Sequence, residues 1–185
     1  IMDVIKCIKE RRSIRKFTGE KIPREIIDEI VDAAAFAPSW KNSQTTRYIV
    51  IDDRKLIDKI AEECVMGFKY NEKTLKNAQA LVIVNSIVGV SGFEKNGEFA
   101  TTKEDRWQNF DAGIAVQTFC LAAHEKGVGS VIIGYFDEFK TAELVEIPDN
   151  EIIMAFIAIG RPEHIGNPPT RLTSKELVSY VGDEQ

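Results

Sequence analysis

Three arginines and a serine fall within five residues near the start of the chain, in the segment Arg11–Arg15. Guanidinium groups carry planar, paired donors that suit phosphate oxygens, and they remain protonated in proteins. The segment follows an apparent first helix, so these cations could hold an oxyanion. The same charges could equally complement the dipole at the end of a solvated helix. Because short basic runs are a weak motif, these five residues leave both interpretations open.

A second polar segment runs from Ala37 to Gln44 and contains one large aromatic residue, Trp40. It follows a predicted helix and precedes a predicted strand, so we interpret it as a loop. Trp40 could contact a ligand, or it could be an ordinary core aromatic. Two later positions present the same choice, since Gly134 could be a simple strand-end glycine and Arg171 a surface charge.

The usual motifs of nucleotide, metal and hydrolase sites are missing from the sequence. No GxGxxG follows a predicted strand and there is no Walker A loop, which argues against the common nucleotide fingerprints. His124 and His164 lie too far apart for an HExxH-type pair, so we predict no metal site. No GxSxG segment supports a serine hydrolase. If the protein is an enzyme, a bound cofactor is expected to carry the chemistry.

With 185 residues, 44% of them hydrophobic and 29% charged, the chain fits one globular domain with a sizeable core. Its net charge of -5 argues against general affinity for nucleic acid or anionic membranes. Cys7, Cys64 and Cys120 form no CxxC pair and are odd in number, which favours reduced thiols in a cytoplasmic protein. We expect neither a secretory leader nor a membrane span.

Hydrophobic periodicity and cap residues divide the chain into helices and strands. The first predicted helix follows Asp3 and carries Val4, Ile5 and Ile8 on one face. Pro23 is expected in the first turn of a second helix that stops at Pro38. The remaining predicted helices are one with its apolar side at Leu56–Cys64, a long one from Lys103 to Lys126, a short one around Thr141–Val145 and a last one opened by a capping box at Thr173–Glu176. The predicted strands are Arg47–Ile51, Ala80–Val84, Ser130–Gly134 and Glu151–Ile159.

Helices dominate around a single sheet, so the predicted class is α+β or a three-layer sandwich, in one domain. Ala80–Val84 is a continuous apolar run, which predicts a central strand covered on both faces. The helix from Lys103 to Lys126 has little polar surface and is expected in the core or in a subunit interface. Asn85–Thr102 is predicted as a long loop that could be a functional lid or plain surface.

The arginine segment and four later motifs together resemble the nitroreductase family, the flavin mononucleotide (FMN)-dependent oxidoreductases. The resemblance covers nearly the whole chain, from about Val4 to the final helix. Its five elements, in chain order, are Arg11–Arg15, Ala37–Gln44, Ile133–Asp137, Ile159–Pro162 and Pro169–Leu172. Each is modest alone, but five in the right order over the right length are hard to explain otherwise.

The resemblance implies a nitroreductase-like three-layer α/β/α sandwich with a central, mostly antiparallel sheet. One FMN-binding domain would span residues 1–185. A homodimer with its flavin sites at the interface is also implied, with a tail from about Arg161 reaching over the partner subunit. Two departures from the family pattern stand out: the chain lacks the longer insertion of some members, and no lysine accompanies Pro169.

The resemblance also implies which residues hold the two ends of FMN. Arg11 and Ser13, with Arg171 from the tail, would bind the phosphate, and Arg12 would help by charge or backbone contact. Arg15 would lie near the N1 and O2 edge of the isoalloxazine ring. A fixed cation there would stabilise the negative charge that develops on reduction.

Further ring contacts are implied in the same way. The loop residues expected at the flavin of the other subunit are Pro38, Ser39, Trp40, Asn42 and Gln44. Ile133 and Gly134 would pack by the ring, with backbone groups near its reactive edge. Asn71 would hydrogen-bond the pyrimidine part of the ring.

By the same resemblance, the reaction is a ping-pong hydride transfer from NADH or NADPH through flavin N5 to a nitroaromatic, quinone or related acceptor. No side chain is expected to act as the catalytic acid or base. Other reactions of the fold are enone reduction, reductive dehalogenation and flavin breakdown. A flavin-binding sensor or storage module and a flavin-free interaction protein are the non-enzymatic alternatives. The natural acceptor and the choice between NADH and NADPH stay open.

Overall fold

The computed structural model describes residues 3–182. Its helices are α1 (Val4–Glu10), α2 (Arg24–Ala34), α3 (Arg54–Glu63), α4 (Lys69–Asn77), α5 (Arg106–Glu125), α6 (Glu138–Val145) and α7 (Ser174–Leu177). Its strands are β1 (Thr46–Ile51), β2 (Ala80–Ile87), β3 (Gly129–Ile133) and β4 (Glu151–Gly160). A short 3₁₀ turn occupies Trp40–Asn42. Within residues 3–182, every helix is too short or too polar to cross a bilayer.

The strands of the described chain form one sheet in the order β1-β2-β4-β3, and each neighbouring pair is antiparallel. β2 and β4 lie in the centre, where Val82 faces Ile157 across the ladder. β2 is buried along nearly its whole length, as its continuous apolar run predicts. The prediction of a mostly antiparallel sheet is confirmed.

Successive side chains of β2 enter two different cores, because neighbours on a strand point to opposite faces. Leu81 and Ile83 pack in a core with the buried sides of α3 and α4. Val82 and Val84 pack in a second core with the buried sides of α2 and α5. Helices therefore cover both faces of the sheet, and the predicted α/β/α sandwich is confirmed.

The structure contains a helix, α4, where the sequence pattern predicts none. Its residues are mostly charged or polar, and only Thr74 and Leu75 are buried, so no apolar stripe marks it. Both ends of α2 also differ from the prediction. Pro23 is the N-cap and not a residue of the first turn, and the helix ends at Ala34, four residues before Pro38. The predicted capping box from Thr173 to Glu176 is present.

The N-terminal helix presents its apolar face outwards. Val4, Ile5 and Ile8 are each about half exposed, and Cys7 is the buried residue of α1. The amphipathic pattern is therefore real, but this face has no cover among residues 3–182. Such an exposed apolar face is typical of a surface that another chain covers.

The second strand continues beyond its predicted end at Val84, up to Ile87. Its last residues include the buried polar residues Asn85 and Ser86. The Asn85 amide donates to the Glu151 carboxylate at 3.0 Å. The segment that follows folds back on itself, with the rings of Phe93 and Phe99 4.9 Å apart. Its role as a lid stays a prediction.

Candidate functional site

The arginine segment lies as an extended strip beside β3. The backbone N–H of Ile14 donates to the Ser130 carbonyl at 2.9 Å. The backbone N–H of Phe17 donates to the side-chain oxygen of Asn77 at 2.7 Å. The strip is thus tied to a strand on one side and to α4 on the other.

Two glycines allow the strip to approach the sheet closely. Ile14 and Phe17 are buried, whereas Arg15 between them faces outwards. A methyl group at Gly160 would lie only 2.5 Å from Cδ1 of Phe17, and one at Gly129 would lie 3.0 Å from Cβ of Ile14. The absence of side chains at Gly129 and Gly160 therefore leaves space for Ile14 and Phe17 to pack in the core. The arginines beside them stay at the surface.

A cavity of about 810 Å³ opens beside the strip, a size typical of small-molecule and cofactor sites. The strip contributes Arg11, Arg12, Ser13, Ile14, Arg15 and Lys16 to its lining. α4 contributes Tyr70, Lys73, Thr74 and Asn77. The tail after β4 contributes Glu163, His164, Gly166, Asn167, Pro169 and Arg171. The structure thus brings Arg171 to the same cavity as the arginine segment, although the two are far apart in sequence.

This cavity is strongly basic in an acidic protein. Six of its lining residues are arginine or lysine and one, Glu163, is a carboxylate. Within residues 3–182, none of the six cations forms an ion pair. The Nε atoms of Arg11 and Arg12 are buried without a hydrogen-bond partner in the same part of the chain. Because an unpartnered buried donor is costly, this set of donors suits a ligand that brings phosphate oxygens.

A row of aromatic side chains continues from the cavity. The guanidinium carbon of Arg15 lies 5.6 Å from the centre of the Tyr70 ring. The Phe68 ring lies 6.2 Å from the ring of Tyr70 and 5.7 Å from that of Tyr135. All three rings are about half exposed, so they offer an open surface to a planar ligand.

The predicted ring contacts at the end of β3 lie near this aromatic row. The Asn71 amide donates to the Tyr135 carbonyl at 3.2 Å, although Asn71 itself does not line the large cavity. Gly134 is exposed, with no atom within 4 Å of an added methyl group. The Ile133 side chain lies in the core, so only its backbone is left for the predicted ring contact.

The predicted loop residues lie elsewhere on the same chain. Pro38, Ser39 and Gln44 line a second cavity of about 480 Å³, which shares no lining residue with the first. The Trp40 ring packs against Trp107 of α5, with ring centres 5.0 Å apart. Asn42 is exposed. The chain therefore brings the predicted phosphate ligands to one cavity and places the predicted loop residues elsewhere on the same chain.

A third cavity of about 270 Å³ lies on the other side of Arg11 and Arg12 and is lined in part by His124. Burial lowers the pKa of His124, so its ring is mostly neutral near pH 7. The positive charge of this region therefore comes from the arginines. Among residues 3–182, no group of three or more histidine, cysteine or acidic side chains is placed to hold a metal ion.

The cavity residues of α4 are absent from the sequence-based prediction. Tyr70, Lys73, Thr74 and Asn77 are spaced i, i+3, i+4 and i+7, which puts them on one face of a helix. This helical spacing could have predicted α4 from the sequence. It is hard to recognise, because the residues that share the face are polar, whereas a helix is normally identified from a stripe of apolar residues. Lys73 adds a cation to the arginine group.

Comparison with known proteins agrees with this geometry. The model of the nitroreductase family matches residues 8–161. A protein of Methanothermobacter thermautotrophicus, provisionally named an NADH dehydrogenase/NAD(P)H nitroreductase, is 34% identical over 92% of this chain and 82% of its own. The FMN reductase [NAD(P)H] of Bacillus subtilis is 27% identical over 99% of this chain and 81% of its own. The crystal structure of a nitroreductase family protein from Clostridium novyi superposes with a TM-score of 0.76 at 30% identity, covering 88% of this chain and 86% of that one.

Proposed function

Because the chain belongs to the nitroreductase family, we propose that it is an FMN-dependent oxidoreductase that uses NADH or NADPH as the electron donor. When bound, FMN would supply the hydride-transfer chemistry at N5, with a nitroaromatic, quinone or related compound as the acceptor in a ping-pong reaction. The observation that carries the proposal is the basic cavity of about 810 Å³ beside the arginine segment. The FMN reductase named above supports the choice of cofactor.

The residues of this chain fit the phosphate end of FMN. Arg11, Ser13 and Arg171 would hold the phosphate dianion, and Arg12 would add charge behind them. The unpartnered Nε atoms of Arg11 and Arg12 support this assignment, since phosphate oxygens would satisfy them. Within residues 3–182, the tail residue Arg171 donates only to nearby backbone carbonyls, at 3.3 and 3.4 Å, which leaves other donors of its guanidinium for a ligand.

Arg15 and the aromatic row fit the other end of the ligand. Arg15 rests on the Tyr70 ring, where its charge would stabilise negative charge at the N1 and O2 edge of a reduced flavin. Phe68 and Tyr135 extend this surface and would stack on flat electron acceptors. Asn71, Ile133 and Gly134 would border the ring, the last two through their backbone. Protons for the product can come from water, so no side-chain acid is needed.

A homodimer completes the proposal. In it, Pro38, Ser39, Trp40, Asn42 and Gln44 would contact the flavin held by the other subunit, because their loop lies away from the arginine cavity of its own chain. The apolar face of α1 and an exposed side of α5 are available for the contact. The tail, in which Tyr180 is 94% exposed, would reach over the partner. The buried free thiols fit a cytoplasmic enzyme.

Replacing Gly113 with glutamate tests the dimer. Within residues 3–182, a Cβ atom added at Gly113 meets no atom of another segment within 4 Å, and the position lies on an exposed side of α5, so the subunit is expected to fold normally. Gly113 lies one turn from Phe110, which is 60% exposed on the same side of α5. Burying a glutamate there is expected to weaken dimerisation by about 100-fold or more. Sedimentation velocity then shows a monomer, and a flavin titration shows that FMN uptake is lost with the dimer.

Gly113→Ala is the matched control for this variant. Alanine favours the helix and adds only a methyl group, so the alanine protein is expected to remain dimeric and to bind FMN. A glutamate variant that sediments as a dimer excludes this side of α5 from the interface. A wild-type protein that binds FMN as a stable monomer contradicts the shared site.

The absorbance spectrum of the purified protein tests the function itself. A flavin spectrum is expected, and anaerobic addition of NADH or NADPH is expected to bleach it and to identify the donor. A panel of nitroaromatics, quinones, enones and halogenated aromatics then identifies the acceptor from the products. Bound flavin that neither donor reduces contradicts the reductase function and favours a sensor or storage module. Absence of flavin uptake, even with added FMN, contradicts the whole proposal.

A further inference from the structure

We infer that Asp111 of α5 is a positioning residue that holds the loop Pro38–Gln44 in the conformation that contacts flavin. One oxygen of its carboxylate, Oδ2, accepts hydrogen bonds from the backbone N–H of Trp40 at 2.9 Å and from the Ser91 hydroxyl at 2.7 Å. Asp111 is only 3% exposed, so both bonds form in a place that excludes water. This inference rests on the proposed function for the flavin role of the loop, but the anchoring itself does not.

The loop needs such an anchor because its backbone is strained. Lys41, Asn42 and Gln44 have φ angles of 47°, 55° and 49°, in the left-handed region that residues with side chains rarely adopt. Several residues of this kind in one loop persist only where the surroundings fix them, and such loops cluster at functional sites. Hydrogen bonds inside the loop contribute, since the Gln44 N–H donates to the Ser39 hydroxyl at 3.0 Å.

Contacts inside the loop cannot fix its position on the protein, and α5 supplies that part. Asp111 holds the backbone of Trp40, and Trp107, one turn earlier on the same side of α5, packs on its ring. Two further links lie at the surface. Lys41 pairs with Glu94, whose side chains are both exposed and whose ion pair is therefore weak, and the exposed Arg47 guanidinium of β1 donates to the Gln44 carbonyl at 2.7 Å. Of these groups outside the loop, Asp111 is the buried one, so its hydrogen bonds form away from water.

The chemistry of the anchor favours an aspartate at this position. Both of its partners are donors, and a carboxylate offers acceptors only, whereas an asparagine also carries an amide that donates. The negative charge shortens and strengthens both bonds. Ser91 belongs to the segment between β2 and α5, so the same oxygen joins that segment to the loop. Asp111 therefore links three segments, namely α5, the loop Pro38–Gln44 and the segment that contains Ser91.

Asp111→Asn is the primary test, since it keeps the shape of the side chain and removes its charge. In the flavin-free protein, hydrogen exchange of the peptide covering residues 38–46 is expected to accelerate. The affinities for FMN and for riboflavin are expected to fall by the same factor, about five- to tenfold, because the loop is proposed to contact the flavin ring, which the two ligands share. Asp111→Ala, which removes both bonds, is expected to lower both affinities by at least about 20-fold. Fluorescence titration measures the two ligands.

Gln108→Leu is the matched control. Gln108 is also buried on α5, and its side-chain oxygen accepts from the Gly89 N–H at 3.2 Å, but it does not touch the loop. Its variant is expected to lose stability without changing exchange at 38–46 or flavin affinity. Unchanged exchange in Asp111→Asn, or faster exchange with both flavin affinities within twofold of wild type, overturns the inference. An equal affinity loss in Gln108→Leu overturns it as well.

The design separates this inference from the proposed function. If the wild-type protein takes up neither FMN nor riboflavin, the proposed function and the flavin role of Asp111 are both contradicted. Hydrogen exchange in the flavin-free variants then still decides whether Asp111 anchors the loop. If the wild-type protein binds flavin and the variants behave as the control does, only the role of Asp111 is wrong.

Discussion

Replacing Arg11 with alanine is expected to weaken FMN binding by roughly 100-fold while leaving riboflavin binding within about twofold of wild type. The two ligands differ only in the phosphate, so their comparison isolates the contact that Arg11 is proposed to make. Arg11 is half-buried, and its Nε has no partner among residues 3–182. Because the side chain is half-buried, a phosphate bound to it would form a charge-assisted hydrogen bond that is partly shielded from water.

Arg15→Ala is expected to slow flavin reduction and to leave the preference for FMN over riboflavin unchanged. Arg15 lines the same cavity, but it is exposed and its guanidinium lies over the Tyr70 ring, where it is proposed to face the flavin ring and not the phosphate. Its loss is expected to slow reduction of the bound flavin by about 100-fold, because the developing negative charge loses its fixed counter-charge. FMN and riboflavin affinities are expected to fall little and by equal factors. Anaerobic stopped-flow measures the reduction rate, and fluorescence titration measures the affinities.

Lys21→Ala is the control for this pair of variants. Lys21 lies close to the arginine segment in sequence, is exposed and does not line the cavity, so its removal changes the net charge alone. Affinities and reduction rate close to wild type are expected for it. If Arg11→Ala and Arg15→Ala change phosphate discrimination and reduction rate to the same extent, the assignment of separate roles is wrong.

The sheet and the helices packed on it could be predicted because each carries a local pattern. The apolar runs at β2 and β4 and the stripe of α2 indicate burial without reference to any other part of the chain. α4 lacks such a pattern, since its four cavity residues are polar and face a ligand site. Val4, Ile5 and Ile8 have the pattern but lie at the surface, because periodicity gives the apolar face of a helix and not what covers it.

The candidate site shows the same limit more sharply. The arginine segment is visible as a run of charge, but its proximity to Arg171 follows only from the path of the tail across the cavity. Asp111 was not predictable at all, because an aspartate inside a helix normally faces water. Its burial and its bond to Trp40 depend on a loop seventy residues earlier in the chain. The resemblance to a family predicted that Arg171 joins the arginine segment, but it did not indicate Asp111.

Gly160→Ala tests how the sheet positions the arginine segment. The added methyl group would lie 2.5 Å from Cδ1 and 2.6 Å from Cγ of Phe17, which is 3% exposed and has no room to move. Overpacking of this kind is expected to lower the free energy of unfolding by about 1–3 kcal/mol. Because Phe17 lies two residues after Arg15, its displacement is also expected to weaken FMN binding. Urea denaturation and a flavin titration measure the two effects.

A double-mutant cycle with Phe17→Ala identifies the cause. Phe17→Ala alone is expected to cost about 3–5 kcal/mol, since it empties a buried site. In that background the ring is gone, so Gly160→Ala is expected to cost less than it does in the wild type, and the two changes are expected not to add. For the unfolding measurement alone, Gly166→Ala is the control, because its methyl group meets no atom of residues 3–182 within 4 Å. If the losses in free energy of unfolding caused by Gly160→Ala and Phe17→Ala add, or if Gly166→Ala causes a loss equal to that of Gly160→Ala, Gly160 is not what makes room for Phe17. Retained FMN affinity in a destabilised Gly160→Ala protein means instead that the arginines keep their positions without this anchor.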